Sequence, residues 1–207
     1  MDNNMTILLI LLSYLTGAFP TAFIVGKSFF SIDIREHGSG NAGATNTFRV
    51  LGKAAGTIVL IIDVFKGWLV VNFVYLFPSI YINPELMFEY QLLFGVFAVI
   101  GHLFPVYTRF RGGKGIATLL GLLIGLHSFS AFVSCMVFIT FLLAFRYVSL
   151  ASIFSAIAFP VIIYFFSESS DVSLIIFSIF VPLLALSTHH KNIRRLLRGQ
   201  ERKIKFK

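Results

Sequence analysis

Residues 115–145, GIATLLGLLIGLHSFSAFVSCMVFITFLLAF, decide how often this chain crosses a membrane. The run of 31 residues contains no charged side chain. As one helix it would be about 46 Å long, whereas the hydrocarbon core of a bilayer is about 30 Å thick. We therefore predict two short spans that meet at residues 125–128, GLHS. The alternative is that 115–127 dips into the membrane and returns.

Other apolar stretches predict the remaining spans, at residues 5–26, 55–78, 90–108, 149–167 and 172–188. Seven spans with the N-terminus outside put every Lys and Arg except Lys66 in the inner segments 27–54, 108–115, 146–148 and 189–207. The charged residues of the outer segments are all acidic, namely Asp2, Glu85, Glu89, Glu168 and Asp171. This distribution follows the positive-inside rule, whereas six spans would place the basic tail outside.

The composition supports the same class of protein. The chain is 57% hydrophobic and 13% charged, with a mean hydropathy of +0.88, whereas soluble domains are nearer a quarter charged. The first apolar run lacks the basic start of a signal peptide and is too long for one, so we expect a transmembrane helix there. We predict an all-α polytopic membrane protein with seven transmembrane helices, a cytoplasmic C-terminus and a single domain over residues 1–207.

The net charge of +8 is not interpreted as a nucleic-acid signal, because no soluble domain is predicted. Topology and attraction to anionic lipid account for part of the basic tail. The single cysteine, Cys135, excludes a disulfide within one chain and a cysteine-based metal site.

Three polar segments are predicted to share the cytoplasmic face. They are HGSGNAGATNTFRVLGKAAG (37–56), GHLFPVYTRFRGGKGIAT (101–118) and STHHKNIRRLLRGQE (187–201). Two spans separate the first from the second and four separate the second from the third, so even counts return all three to one side. Taken singly, each could be a turn or an anchor; together they favour an anion-binding site.

The residue types in these segments suit phosphate. Glycine backbones approach an anion closely, and hydroxyl, amide and guanidinium groups add donors; in the first segment these are Gly38, Gly40, Gly43, Ser39, Thr45, Asn46 and Arg49. In the second, Gly112 and Gly113 precede Lys114 where a helix is predicted to start. In the third, His189 and Asn192 lie three apart, on one face if the segment is helical.

Several known site types are excluded. The residues GKS at 26–28 lack the upstream glycine of a phosphate-binding P-loop, since position 21 is Thr. HExxH, CxxC and G-x-S-x-G are absent, and no His is followed five residues later by Asp. We expect no metal and no cofactor. Asp63 and Lys66, three apart inside the second span, are interpreted as a neutralising ion pair that braces the site.

The three segments closely resemble the motifs of the PlsY family: GSGNAGATNTFRVLG, GHLFPVYTRFRGGKGIAT and HHKNIRRLLRGQE. PlsY enzymes are bacterial inner-membrane acyltransferases that move an acyl chain from acyl phosphate to glycerol 3-phosphate, giving 1-acyl-glycerol 3-phosphate. The resemblance covers nearly the whole chain and implies a site at the cytoplasmic surface. One departure is His190, where the family often has Arg.

Carried onto this sequence, the resemblance implies catalytic roles for Ser39, Arg49, Lys114, His189 and Asn192. The expected substrate-binding residues are Gly38, Gly40, Asn41, Gly43, Thr45, Asn46, Gly112, Gly113 and Glu201. Lys114 and Ser39 would stabilise the departing phosphate, while Arg49, His189 and Asn192 would position glycerol 3-phosphate. No side chain is an obvious general base, so we expect a substrate phosphate oxygen to take the hydroxyl proton.

The main alternative function is a transporter of a phosphate-bearing solute. A transporter needs polar groups along its helices, and apart from Asp63 and Lys66 the predicted spans carry almost no charge. A phosphotransferase is a second alternative, but it would normally show acidic metal ligands. The expected partners are acyl phosphate, glycerol 3-phosphate and membrane lipid, with no nucleic acid and no obligate protein partner.

Overall fold

The computed structural model describes residues 3–76, 83–167 and 172–204, without the side chains of Asn3, Pro84 and Glu85. Part of the predicted charge distribution lies outside the described residues, namely Asp2, Glu168, Asp171, Lys205 and Lys207. The last two residues of the predicted span 55–78 also lie outside them.

The described residues form α-helices joined by short turns, and no strand occurs among them, so the all-α prediction is confirmed. The chain separates into two compact units, Met1–Leu126 and His127–Lys207. The helices of the first unit are α1 (Asn3–Ala18), α2 (Thr21–Phe30), α3 (Ala44–Leu51), α4 (Lys53–Val71), α5 (Pro84–Leu103) and α6 (Ile116–Leu126). Those of the second are α7 (Ser128–Phe145), α8 (Val148–Phe166), α9 (Val172–Thr188) and α10 (His190–Leu197).

In the first unit α1 packs along α5, while α4 packs against both α5 and α6. Buried apolar residues form clusters in the core of this unit. One joins Leu9, Val70, Val74, Phe94 and Ala98. Another joins α2 to α4 through Ala22, Val25, Ile34, Ala55 and Val59. In the second unit α8 packs between α7 and α9.

Most predicted spans appear as helices of sufficient length. Four segments are long and apolar enough to cross a membrane, Lys53–Leu76, Leu86–Thr108, Ser128–Phe145 and Val148–Phe166. Two bent pairs bring the described candidates to six if each pair is one span: α1 with α2, bent by 42°, and α9 with α10, bent by 64°. The first bend corrects the predicted continuous span 5–26, because Pro20 interrupts it and proline removes a helical hydrogen bond.

The helix α6 is the segment predicted as either a short span or a dip. It has 11 residues, which is about 16 Å of helix and roughly half of a hydrocarbon core. The seventh crossing is therefore not established by helix length, and the count of seven stays a prediction.

Two glycines let α4 and α6 cross at very close range. A Cβ added at Gly121 would overlap the carbonyl oxygen of Val64, and one added at Gly67 would overlap that of Thr118. Both glycines are buried. Because backbone is what each methyl group would meet, a side-chain rotation cannot relieve the clash. This crossing fixes the start of α6 relative to Asp63 and Lys66 in α4.

We expect Gly121→Ala to destabilise the protein by about 1–3 kcal/mol, because overpacking a close helix crossing forces the backbones apart. The measurement is the thermal unfolding midpoint of the purified protein in detergent. Ala54→Val also adds methyl groups, but at an exposed position of α4, and should leave the midpoint nearly unchanged. Equal midpoints for wild type and Gly121→Ala would contradict the crossing.

Candidate active site

The first predicted segment begins in a short turn held by one carboxylate. Asp33 caps the turn Ile34–Glu36 by accepting from the backbone N–H of Arg35. Its Oδ2 also forms an ion pair of 2.7 Å with the Arg35 guanidinium. Hydrogen bonding from Arg35 lowers the pKa of the Asp33 carboxyl, and the same bond raises the pKa of Arg35. The loop that follows therefore starts from a fixed point at neutral pH.

The shifted pKa of Asp33 predicts a dependence of stability on pH. A carboxyl whose folded pKa lies below its ordinary value of 3.8 stabilises the fold fully at neutral pH. That contribution disappears as the pH falls from about this value through the lowered pKa. We therefore expect Asp33→Asn to unfold at a lower temperature than wild type at pH 7, with the difference shrinking below pH 4. Glu36→Gln, at an exposed carboxylate, is the control and should show no such difference.

The Asn46 side chain fixes the conformation of the glycine-rich loop of the first segment, residues 37–43, through hydrogen bonds to the backbone. Its side-chain Nδ2 donates to the carbonyl oxygens of Ile34 and His37, both at 3.0 Å. Its Oδ1 accepts from the backbone N–H of Ser39 at 2.8 Å. The residue is only 1% exposed. All three bonds go to the backbone of residues 34–39, so the amide faces the protein and fixes where Ser39 sits.

Ser39 stands between two glycines in the left-handed region, Gly38 with φ 65° and Gly40 with φ 74°. A Cβ on Gly38 would also strike the Asn46 side chain and approach Val50. The glycines at 38 and 40 are therefore required by backbone conformation, and at 38 by lack of space as well. Ser39 itself remains partly accessible.

The other residues expected in this segment lie at the start of α3. Gly43 is the residue before the helix, and Thr45 and Arg49 follow at positions that share one face. Asn41, Gly43, Thr45 and Arg49 are all partly exposed. A ligand at the loop can therefore reach the backbone of Gly43 and the side chains of the other three residues.

The second segment folds back over the end of α5. Gly113 donates its N–H to the carbonyl oxygen of His102 at 3.1 Å. A Cβ on Gly112 would overlap the carbonyl oxygen of His102, and one on Gly113 would overlap its ring Nε2. His102 therefore leaves no room for a side chain at either glycine. Lys114 follows at once, partly exposed, two residues before α6 begins.

A buried polar cluster lies beneath this second loop. Lys66 and Asp63 form an ion pair of 2.8 Å, which confirms the predicted pairing. Thr21 donates its hydroxyl to Asp63 at 3.0 Å, and the ring of His102 lies 3.8 Å from the same carboxylate. Neither Thr21 nor His102 was predicted from the sequence to belong to this cluster. A histidine directly before the second loop was the available signal, but its partners come from other helices.

The two loops of the first unit meet at one shallow pocket. It is lined by Ala42 from the first loop, Gly112 and Gly113 from the second, and by Asp63 and His102 beneath them. Thr21 and Lys66 also line it. The predicted convergence of the first two polar segments is therefore present in the fold of this unit.

The third segment forms its own network in the second unit. Glu201 is 7% exposed, and its Oε1 accepts from the Asn192 amide at 2.8 Å and from the Ser149 hydroxyl at 3.0 Å. Arg195 lies 4.0 Å from the other oxygen. The carboxylate thus fixes the Asn192 side chain and ties the tail to the start of α8. Ser149 was not predicted from the sequence to belong to the site.

His189 stands at the bend between α9 and α10. It is 3% exposed, and its Nδ1 lies 2.8 Å from the carbonyl oxygen of Ala185. Because a carbonyl only accepts, Nδ1 carries the proton, and Nε2 of the neutral ring is an acceptor. His189 precedes α10, with Asn192 in its first turn, so the predicted three-residue spacing bridges the helix start.

The comparisons with known proteins agree with one another. The sequence model of the family described as glycerol-3-phosphate acyltransferase matches residues 7–199. Curated glycerol-3-phosphate acyltransferases of Staphylococcus aureus strains RF122 / ET3-1 and JH9 are each 43% identical over 206 residues, covering 98% of this chain and 99% of the relative.

Two solved structures have the same fold. Crystal structures of PlsY (YgiH), an integral membrane glycerol 3-phosphate acyltransferase, match with TM-scores of 0.85 for the glycerol 3-phosphate form and 0.82 for the lysophosphatidic acid form. Their identities to this chain are 33% and 32%, over 97% of this chain and 96% of each structure. On these matches, and in agreement with its long apolar helices and the two glycine loops at one pocket, this chain belongs to the PlsY family of integral membrane glycerol-3-phosphate acyltransferases.

Proposed function

We propose that the protein transfers an acyl chain from acyl phosphate to the 1-hydroxyl of glycerol 3-phosphate, giving lysophosphatidic acid and phosphate. The observation that carries this proposal is the shared pocket of the two glycine loops, with Lys114 beside it at the start of a helix. The solved relatives in their glycerol 3-phosphate and lysophosphatidic acid forms support the acceptor and the product. The transport alternative gains no support from relatives that are named as acyltransferases.

Acyl phosphate is a mixed anhydride and is already activated. The hydroxyl oxygen attacks the acyl carbon, the bond from that carbon to the phosphate oxygen breaks, and a phosphate oxygen takes the hydroxyl proton. The reaction needs no acyl-enzyme and no metal. Acyl phosphate and glycerol 3-phosphate are both anions and repel each other in one site. Oriented N–H groups and cationic side chains offset this repulsion.

The first unit is proposed to hold the leaving phosphate. Lys114 contributes a positive charge at the start of α6, where backbone N–H groups and the helix dipole also favour an anion. Ser39 contributes its hydroxyl from a loop that Asn46 keeps rigid. The backbones of the neighbouring loop glycines, with Asn41 and Thr45, are proposed to complete the cradle. Asn46 then acts as a positioning residue.

Glycerol 3-phosphate is proposed to bind Arg49, His189 and Asn192. The guanidinium fork of Arg49 suits the phosphate. His189, whose ring is held by the bond of 2.8 Å between Nδ1 and the carbonyl oxygen of Ala185, is proposed to contact a glycerol hydroxyl. Glu201 fixes the Asn192 amide through a bond of 2.8 Å and so positions this group without touching substrate.

The orientation in the membrane is also part of the proposal. Seven crossings, with α6 as the short one and the N-terminus outside, put both loops and the tail on the cytoplasmic face of a bacterial inner membrane. The basic residues at the ends of the described helices support this orientation. Residues 1–207 are predicted to act as one acyltransferase domain.

The proton route gives a sharp prediction for His189→Ala. We expect kcat to fall about a hundredfold from lost positioning, while the shape of the pH–rate profile persists. The profile should follow ionisation of substrate phosphate, whose second pKa is about 6. A limb of the profile that disappears in His189→Ala would make the histidine the base instead.

The donor is tested directly with purified protein in detergent containing a chelator. Palmitoyl phosphate, palmitoyl coenzyme A and palmitoyl acyl carrier protein are each supplied with glycerol 3-phosphate, and lysophosphatidic acid is measured. We expect product from palmitoyl phosphate alone. Equal product from a thioester would contradict the proposed donor.

A further inference from the structure

A basic groove lies on the first unit, beside the site just described, and it shares Thr108 and Arg111 with the pocket of that site. Its volume is about 440 Å³, and it is lined by Phe23, Arg35, Tyr107, Thr108, Arg109 and Arg111. Three of these six residues are arginines. None of the substrate roles proposed above uses them.

The positive charge of this groove is only partly compensated. Arg35 pairs with Asp33 at 2.7 Å, donates to the carbonyl oxygen of Thr108 at 3.0 Å and stacks 4.8 Å above the Phe23 ring. Arg109 and Arg111 are exposed, and among the described residues no carboxylate lies within ion-pair distance of either. The groove therefore carries two uncompensated guanidinium groups.

The turn that carries these arginines is held in an uncommon conformation. Arg109 and Phe110 both have positive φ angles, 54° and 59°, which residues other than glycine seldom adopt. Phe110 donates its N–H to the carbonyl oxygen of Pro105 at 2.9 Å, and Arg111 donates to that of Thr108 at 3.3 Å. The guanidinium groups therefore project from a fixed turn.

Aromatic side chains lie at the groove, at the end of a candidate span. That span, Leu86–Thr108, ends at the groove. Tyr107, which lines the groove, is 55% exposed, and Phe110, between Arg109 and Arg111 in the same turn, is 60% exposed. Exposed aromatic rings beside arginines at a helix end are typical of the boundary between hydrocarbon and lipid headgroups.

We propose that this groove binds the phosphodiester headgroup of an anionic phospholipid from the surrounding leaflet. The guanidinium groups of Arg109 and Arg111 hold the phosphate, and the aromatic rim contacts the upper part of the acyl chains. A free phosphate in water would use the cations but would gain nothing from this rim. The proposal concerns binding and does not depend on the acyl-transfer reaction.

The test uses the full chain, purified in a neutral detergent and freed of native lipid. Binding of dihexanoyl phosphatidylglycerol is measured against dihexanoyl phosphatidylcholine, and inorganic phosphate is added as a competitor. We expect tighter binding of the anionic lipid and a higher unfolding temperature in its presence. Arg109→Gln and Arg111→Gln should each weaken binding of the anionic lipid about fivefold, with little effect on phosphatidylcholine.

Two further variants sharpen the test. Lys53→Gln removes an exposed cation that does not line the groove and should leave lipid binding unchanged. Arg109→Lys keeps the charge but loses the guanidinium fork, so its binding should fall between those of wild type and Arg109→Gln. Phosphate release by the same samples is assayed separately, so a failure of catalysis is distinguished from a failure of lipid binding.

Several outcomes would overturn the proposal. Equal binding of the two lipids by wild type would do so, as would an effect of Lys53→Gln as large as that of Arg109→Gln. Displacement of the lipid by inorganic phosphate at similar affinity would make the groove a site for a soluble anion. Displacement by polyglutamate but not by phosphate would assign the groove to an acidic protein.

Discussion

Replacing Lys114 with methionine is expected to reduce kcat for phosphate release from palmitoyl phosphate by about a thousandfold. Methionine keeps an unbranched side chain that is one heavy atom shorter and removes the charge with its hydrogen-bond donors. A cation and oriented N–H groups at the leaving phosphate act mainly in the transition state, and loss of one such group costs about a hundredfold to a thousandfold. The measurement is steady-state phosphate release at saturating glycerol 3-phosphate.

Two variants show whether the loss belongs to the site. Lys53→Met removes an exposed cation at the start of α4 and should keep near wild-type activity. Lys114→Arg keeps a charge of different shape and should retain part of the rate. Wild-type kcat in Lys114→Met would remove the lysine from the mechanism. Thermal unfolding in detergent identifies any variant that has simply lost its fold.

The second large effect is expected for Glu201→Ala. The change leaves the buried Asn192 amide and the Ser149 hydroxyl without the acceptor they share, and each unsatisfied group costs about 1–3 kcal/mol. Because Asn192 then loses its fixed orientation, we expect KM for glycerol 3-phosphate to rise at least tenfold. The KM for palmitoyl phosphate should change much less.

Glu201→Gln separates positioning from charge. Glutamine keeps an oxygen that accepts from both partners, so it should restore most of the affinity for glycerol 3-phosphate. Glu36→Ala, which removes an exposed carboxylate, serves as control and should leave both KM values unchanged. If Glu201→Ala raised both KM values equally, Glu201 would have a general structural role rather than one specific to the acceptor.

The apolar stretches of the sequence predicted the helices well, because a bilayer forces every backbone group to bond within its own segment. The ion pair of Asp63 and Lys66 was also predictable, since a spacing of three places both on one helical face. The break at Pro20 could have been read from proline chemistry, yet the run 5–26 was predicted as continuous. The prediction of that span used its apolar composition and did not take Pro20 into account.

The contacts that shape the loops could not be predicted, because they join residues from different elements. Asn46 was expected to face the substrate, but its amide binds the loop backbone at Ile34, His37 and Ser39. The composition of the second loop predicted a phosphate-binding turn. That a Cβ at Gly113 would overlap the His102 ring could not be predicted from the sequence. Local residue type indicates the chemistry of a loop, while the packing around it determines which groups remain available.

Direct transfer is the central claim, and rapid-quench measurement of phosphate release tests it most directly. Protein in excess over palmitoyl phosphate is mixed with and without glycerol 3-phosphate, and phosphate, lysophosphatidic acid and protein-bound palmitate are followed. We predict that phosphate appears only with the acceptor, at the same rate as lysophosphatidic acid, and that no palmitate becomes attached to the protein. A stoichiometric burst of phosphate without glycerol 3-phosphate, accompanied by acylated protein, would contradict direct transfer.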